Sequence, residues 1–208
     1  MTHPSTSSGQ AHTTNKVTFG FWVYLMSDCV LFAGLFATYA VLRTATFGGP
    51  GIESIVDLPY VLGETLLLLT SSFTMGLALL AAHKGKKNLT LLALGSTLLL
   101  GLGFLTMEVM EFAHLIEIGA GPDTSAFLSS FFTLLGTHGL HVALGLVWML
   151  VLMVHVALDD FAGGSLTSAS GGLAAGMTRK LMCLGLFWHF LDIIWIFIFT
   201  FVYLFGSL

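Results

Sequence analysis

Charge is scarce in this chain. Only 9% of its residues are Asp, Glu, Lys or Arg, where a water-soluble domain carries roughly 25%. With 56% hydrophobic residues and a mean hydropathy of +0.93, too few charges exist to cover a water-facing surface. That excludes an ordinary soluble domain and leaves an integral membrane protein. The seven Lys and Arg make no basic face, so no nucleic-acid partner is expected. The two cysteines, Cys29 and Cys183, both fall in apolar stretches. They supply neither a disulfide framework nor a zinc ribbon and read as small buried hydrophobes. Also missing are a glycine-rich phosphate cradle, a nucleophile elbow and a His pair suited to two haem axial ligands. The alternation over ~10-residue segments that a membrane β-barrel needs is absent as well.

What is present is a series of apolar runs. They predict an all-α membrane bundle of five transmembrane helices, with spans at about 19–42, 59–82, 89–116, 125–157 and 180–206. Each is long enough to cross a hydrocarbon core of ~30 Å at 1.5 Å per residue. Residues 1–16, polar and rich in Ser, Thr and His, lack the basic start, short apolar run and small-residue cleavage site of a signal peptide. They are expected to form a disordered tail. Gly48-Gly49-Pro50-Gly51, the basic His83 to Lys87 segment and Gly119-Ala120-Gly121-Pro122-Asp123 punctuate the runs. A Gly-, Ser- and Ala-rich loop is expected from Asp159 to Met177. Pro59 suits a first helical turn, and Asp123 or Thr124 is the expected cap of the fourth span. Lys16, Lys84, Lys86, Lys87, Arg179 and Lys180 all fall on one side of a five-span topology, and Arg43 alone on the other. The positive-inside rule then puts the N-terminus in the cytoplasm and the C-terminus outside.

Several ionisable groups lie inside the spans, where each is costly and marks a functional or structural site. Asp28, about nine residues into span one, lies roughly 14 Å from its cytoplasmic end. It reads as a proton-exchanging group or as a polar anchor for helix packing. Glu64 falls in the outer half of span two. Glu108 and Glu111 share a face of span three, which His114 extends. His138 and His141 lie near the middle of span four, and His189 and Asp192 near the middle of span five. Three imidazoles and a carboxylate at similar depth raise a zinc or iron site as one reading. Glu111-x-x-His114 matches half of a di-iron carboxylate pattern, but the second half is missing. The other reading is a hydrogen-bonded seam between helices. Gly95, Gly101 and Gly103 on span three, and Gly136, Gly139 and Gly145 on span four, read as small residues for close helix approach.

These residues also resemble a known family. Trp188-His189-Phe190-Leu191-Asp192-Ile193-Ile194-Trp195, Gly136-Thr137-His138-Gly139-Leu140-His141 and the Glu108/Glu111 pair look like subunit III of the haem–copper respiratory oxidases, in order and across all five spans. Phe21-Trp22-Val23-Tyr24-Leu25-Met26-Ser27-Asp28-Cys29, Gly63-Glu64-Thr65, Gly121-Pro122-Asp123 and Arg179-Lys180-Leu181-Met182-Cys183 are similar to its ubiquinol oxidase branch, of the cytochrome o (bo3) type. Many cytochrome c oxidase members have two further spans at the start, and commonly Glu where this chain has the shorter Asp28.

The resemblance implies an accessory subunit of a proton-pumping terminal quinol oxidase in the bacterial inner membrane, with no catalytic residue, cofactor or metal ligand of its own. It places haem and copper in a partner subunit I. It implies subunits I, II and IV as neighbours and a bound phospholipid, with ubiquinol acting on the complex. It also implies stabilisation of subunit I and support of proton uptake. Subunit III of a cytochrome c oxidase is the nearest alternative. A self-contained transporter, or an intramembrane metalloenzyme, is the alternative from a different class. A transporter would work alone, and a metalloenzyme would hold stoichiometric metal.

Overall fold

A computed structural model of the chain describes residues 7–46, 57–158 and 175–206, and everything regular in them is helical. The helices are α1 (Ser7–Leu42), α2 (Leu58–His83), α3 (Lys87–Glu117), α4 (Ala126–Leu158) and α5 (Ala175–Ile198), the last continuing as a π-helical turn over Phe199–Leu204. Among the described residues, five helices are long and apolar enough to cross a membrane, with membrane-length stretches from Thr18–Leu42 to Gly176–Leu204.

The helix ends have local causes. Pro59 sits in the first turn of α2, where its missing N–H would have had no partner. α2 closes at Gly85, whose φ of +68° only glycine adopts cheaply. There Lys86 N–H reaches back to Ala81 O (3.0 Å) and Gly85 N–H to Ala82 O (3.1 Å), a Schellman-type close. Gly119 repeats this device after α3, with φ +78° and Ala120 N–H donating to Leu115 O at 2.9 Å.

The cap of α4 corrects the sequence expectation. It is Ser125, whose Oγ accepts the Leu128 N–H at 3.1 Å. Thr124 instead turns its hydroxyl to Gly119 O. α1 begins at Ser7, within the segment expected as a tail; once a helix has formed, each further residue adds a hydrogen bond at little cost. Residues 1–6, the Gly48–Gly51 punctuation and the expected loop as far as residue 174 lie outside the described residues. Cys29, expected to be buried, is exposed on α1.

Helices α2, α3, α4 and α5 close a four-membered bundle in which each packs on the next and α5 returns to α2. α1 lies outside this ring, against α4 and α5. α5 is the most enclosed element: 61% of its apolar window is buried, against 22% for α1. Its two tryptophans, Trp188 and Trp195, are among the largest fully buried side chains. Trp188 fits a notch made by two glycines. A Cβ added at Gly101 would come within 2.9 Å of Trp188 Cη2 and 2.8 Å of Leu146 Cδ2, and one at Gly145 within 3.2 Å of Trp188 Cζ3. At Gly95, Gly103 and Gly136 a Cβ would make only ordinary contact, so close approach rests on a subset of the glycines singled out by sequence.

Candidate functional site: the polar seam of the bundle

The antiparallel pairing of α2 with α5 sets the first part of the seam. Trp188 and Trp195 stand seven residues apart on α5, two helical turns, and so lie on one face. Opposite them on α2 are hydroxyl residues with nearly matching spacing. Trp188 Nε1–H donates to Ser71 Oγ (3.1 Å) and Trp195 Nε1–H to Thr65 Oγ1 (3.1 Å). Ser71 and Thr65 pass their own hydroxyl protons to Leu68 O and Val61 O. Next to this ladder, Ser72 Oγ and His189 Nδ1 are 2.6 Å apart. His189 Nδ1 lies 4.0 Å from Asp192 Oδ2, which is longer than a hydrogen bond. Asp192 is buried while the His189 ring is about half open to the exterior.

The four residues expected at one depth do not converge. His138, fully buried, donates from Nε2 to the Leu191 carbonyl at 3.3 Å; a carbonyl only accepts, so the proton is on Nε2. Its ring is walled by Trp195 at 5.1 Å and Phe104 at 5.9 Å between centroids. His141 turns the other way, toward α1. Its Nδ1–H donates to Thr137 O (2.7 Å), and Nε2 lies 3.8 Å from Asp28 Oδ1. Phe32 of α1 covers this pair, its ring 5.3 Å from that of His141. The four groups thus serve three different helix contacts: α2–α5, α4–α5 and α1–α4. No group of three or more His, Cys, Asp or Glu among the described residues could hold a metal ion.

The glutamates make a second grouping. Glu64 on α2 and Glu108 on α3 are both fully buried, and none of their carboxylate oxygens has a hydrogen-bond partner among the described residues. Glu108 lies against the backbone of α4 at Gly139, where a Cβ would come within 2.7 Å of its Oε2. Glu111 is half-buried and accepts from Tyr203 OH at 3.3 and 3.4 Å. Tyr203 belongs to the π turn and is fully buried. Val202 and the adjacent Tyr203 of this turn are both buried. Tyr60 OH donates to Met107 O at 2.9 Å and ties α2 to α3 beside these acids. His114, expected on the same face, is exposed.

Sequence reading flagged all the acids and histidines of this seam but missed Thr65, Ser71, Ser72 and Tyr203. A signal for the hydroxyls existed: Thr65 and Ser71-Ser72 interrupt a leucine-rich run at about the spacing of the two tryptophans. Tyr203 had a signal as well: it stands eight residues after Trp195, on the same apolar stripe by helical spacing.

The family model described as cytochrome c oxidase subunit III matches residues 2–207 of this chain. A protein of Pseudomonas aeruginosa named cytochrome bo(3) ubiquinol oxidase subunit 3 is 58% identical over 190 residues, covering 91% of this chain and 85% of the relative. A protein of the same name from Pseudomonas putida is 48% identical, over 95% of this chain and 90% of the relative. Cytochrome c oxidase subunit 3 of Bacillus sp. (strain PS3) is 42% identical, over 99% of this chain and 94% of the relative.

Proposed function

The chain belongs to the cytochrome c oxidase subunit III family, and from that premise we propose that it is the accessory subunit III of a proton-pumping quinol oxidase of the cytochrome bo(3) kind. The observation that carries this reading is the identity of 58% to a subunit so named, over nearly the whole of both chains. The cytochrome c oxidase alternative draws on the relative from Bacillus sp., and the higher identities to quinol oxidase subunits favour the quinol reading.

In this reading the oxidase oxidises quinol, reduces oxygen to water and moves protons in a bacterial inner membrane. Haem and copper belong to subunit I, and subunits II and IV complete the complex. The N-terminus is cytoplasmic, because Lys84, Lys86, Lys87, Arg179 and Lys180 gather on one side. The chain holds subunit I in its working form, supports proton uptake and packs phospholipid. A groove of ≈ 410 Å³ where α1, α4 and α5 meet supports the lipid assignment: Phe21, Tyr24 and Trp148 line it beside Arg179 and Lys180, an aromatic and cationic pairing suited to the membrane interface.

The seam residues Asp28, His138, His141, His189 and Asp192 lock the helices together and bind no cofactor. Their polar approaches run to different helices or to neighbours on their own helix and do not converge on one point, and that arrangement suits packing better than ligation. Two experiments test these statements. An oxidase assembled without this chain should keep its haem absorption but lose activity faster during turnover; equal persistence would contradict the accessory role. Asp192→Leu should lower both the yield of assembled complex and its melting temperature; if both stay unchanged, the lock reading fails.

A further inference from the structure

The hairpin of α2 and α3 carries a second groove, on a different part of the surface. Its walls are Leu77 and Leu80 of α2 and Leu89 and Leu92 of α3, all exposed to the exterior. It has a volume of ≈ 370 Å³, within the range of small-ligand sites. Lys84 and Lys86 stand at its mouth, held on either side of Gly85 by the φ of +68° and the back-bonds that close α2. The lysines are therefore placed by rigid backbone and not by a flexible loop.

Thr74 and Ser96 lie at the other end of the groove. Their hydroxyls are satisfied internally, Thr74 to Ser71 O and Thr97 Oγ1, and Ser96 to Ala93 O. The floor thus offers apolar contact and makes no demand for a polar guest.

Two quantities select the occupant. The first is length: from Lys84 back to Thr74, and from Lys86 on to Ser96, each helix advances about 15 Å at 1.5 Å per residue. That is half of a ~30 Å hydrocarbon core, the depth that one lipid tail crosses. The second is charge. No Asp or Glu stands between Glu64 and Glu108, so Lys84 and Lys86 meet no acid from their own hairpin. A peptide would have to satisfy its backbone polar groups along an apolar wall, and free phosphate would leave the apolar length unused. A basic site between membrane helices with an apolar channel beneath suits an anionic lipid head group.

We propose that the α2–α3 groove binds one anionic phospholipid, its tail along Leu77, Leu80, Leu89 and Leu92 and its phosphate over Lys84 and Lys86. The inference rests on the membrane-subunit reading above and adds a site to it, separate from the groove at Arg179 and Lys180.

The test uses the intact, delipidated oxidase complex containing this chain. Phosphatidylglycerol or phosphatidylcholine is added back, and retained lipid is counted by native mass spectrometry. Wild type should retain one more phosphatidylglycerol than Lys84→Gln/Lys86→Gln does at the same lipid concentration. The double variant should need about 30-fold more lipid for half-occupancy, roughly fivefold for each lysine. Leu80→Trp, which fills the groove and leaves the lysines in place, should lose the same lipid. Equal retention by all three proteins would overturn the proposal. So would a loss confined to the lysine variant, which would mean surface attraction without a groove, or equal retention of phosphatidylcholine. Competition by millimolar inorganic phosphate would also overturn it, by making the site one for the free anion. The haem spectrum and subunit composition of the same samples keep the two readings apart. An intact haem-bearing complex without selective lipid retention removes this site and leaves the subunit assignment standing.

Discussion

Gly101→Ala is the substitution through which the packing account is most exposed to test. The added methyl would lie 2.9 Å from Trp188 Cη2, 3.0 Å from Cζ2 and 2.8 Å from Leu146 Cδ2. The leucine tip can swing away. The indole is pinned by its bond to Ser71 on one side and by Gly145 on the other. Relief therefore requires the tryptophan to move, straining its contacts and the Ser71 bond. Overpacking of this kind costs about 1–3 kcal/mol, and loss of an interhelical hydrogen bond about 0.6 kcal/mol more. A total near 2–3 kcal/mol corresponds to a melting temperature lower by roughly 5–10 °C for a chain of this size. The assay is a thermal melt of the detergent-solubilised complex, read by retention of this chain. Trp188→Phe removes the outer ring atoms that meet the new methyl. Gly101→Ala/Trp188→Phe should therefore be less destabilised than the sum of the single changes, by about 1–2 kcal/mol. An unchanged melting temperature for Gly101→Ala, or strict additivity in the double variant, would refute the two-glycine notch.

Further outcomes follow from the same geometry. Trp195→Phe keeps an aromatic ring against the edge-on Phe104 and the tilted His138 but drops the bond to Thr65; it should lower the melting temperature by only about 1–2 °C, whereas Trp195→Ala should cost about 3–5 kcal/mol and deplete the chain from purified complex. Glu108→Gln swaps a buried carboxyl that no hydrogen-bond partner holds among the described residues for an amide of the same shape, so assembly yield should be unchanged; Gly139→Ala, which drives a methyl against the same carboxyl group, should reduce it. Tyr203→Phe removes the donor to Glu111 and leaves the buried ring in place, which should shift the melt by less than about 3 °C. Gly85→Ala places a side chain at φ +68° and should cost about 1–2 kcal/mol, seen as a lower melting temperature in the same assay.

The helices were legible because the bilayer imposes one simple demand, a long apolar run with its backbone bonds closed internally. Gly85 and Gly119 were readable stops, since a Schellman close needs a residue at positive φ. Asp28, His138, His189 and Asp192 stood out because ionisable groups are expensive in such runs. What could not be read was the partner of each. His138 and His141 are neighbours on one helix, yet one faces Leu191 on α5 and the other Asp28 on α1. That division depends on how α4 is rotated in the bundle, which a residue spacing does not state. The Thr65–Trp195 and Ser71–Trp188 bonds are fixed by the register between α2 and α5. That register is set in turn by how Trp188 fills the space over Gly101 and Gly145. The π turn over Phe199–Leu204 has no local signature in an apolar run, and the bond from Tyr203 to Glu111 depends on which helix α5 meets there, which spacing along one helix does not state.

We propose that this chain holds helices and lipid together while the redox chemistry lies in another chain. Absorption spectroscopy after purification through a tag on this chain tests it most directly. In mild detergent the preparation should show haem contributed by co-purifying partners; after a stronger detergent strips those partners, the chain alone should show none. Haem or stoichiometric metal retained by the isolated chain, or a mild-detergent preparation without any haem-bearing partner, would contradict the account.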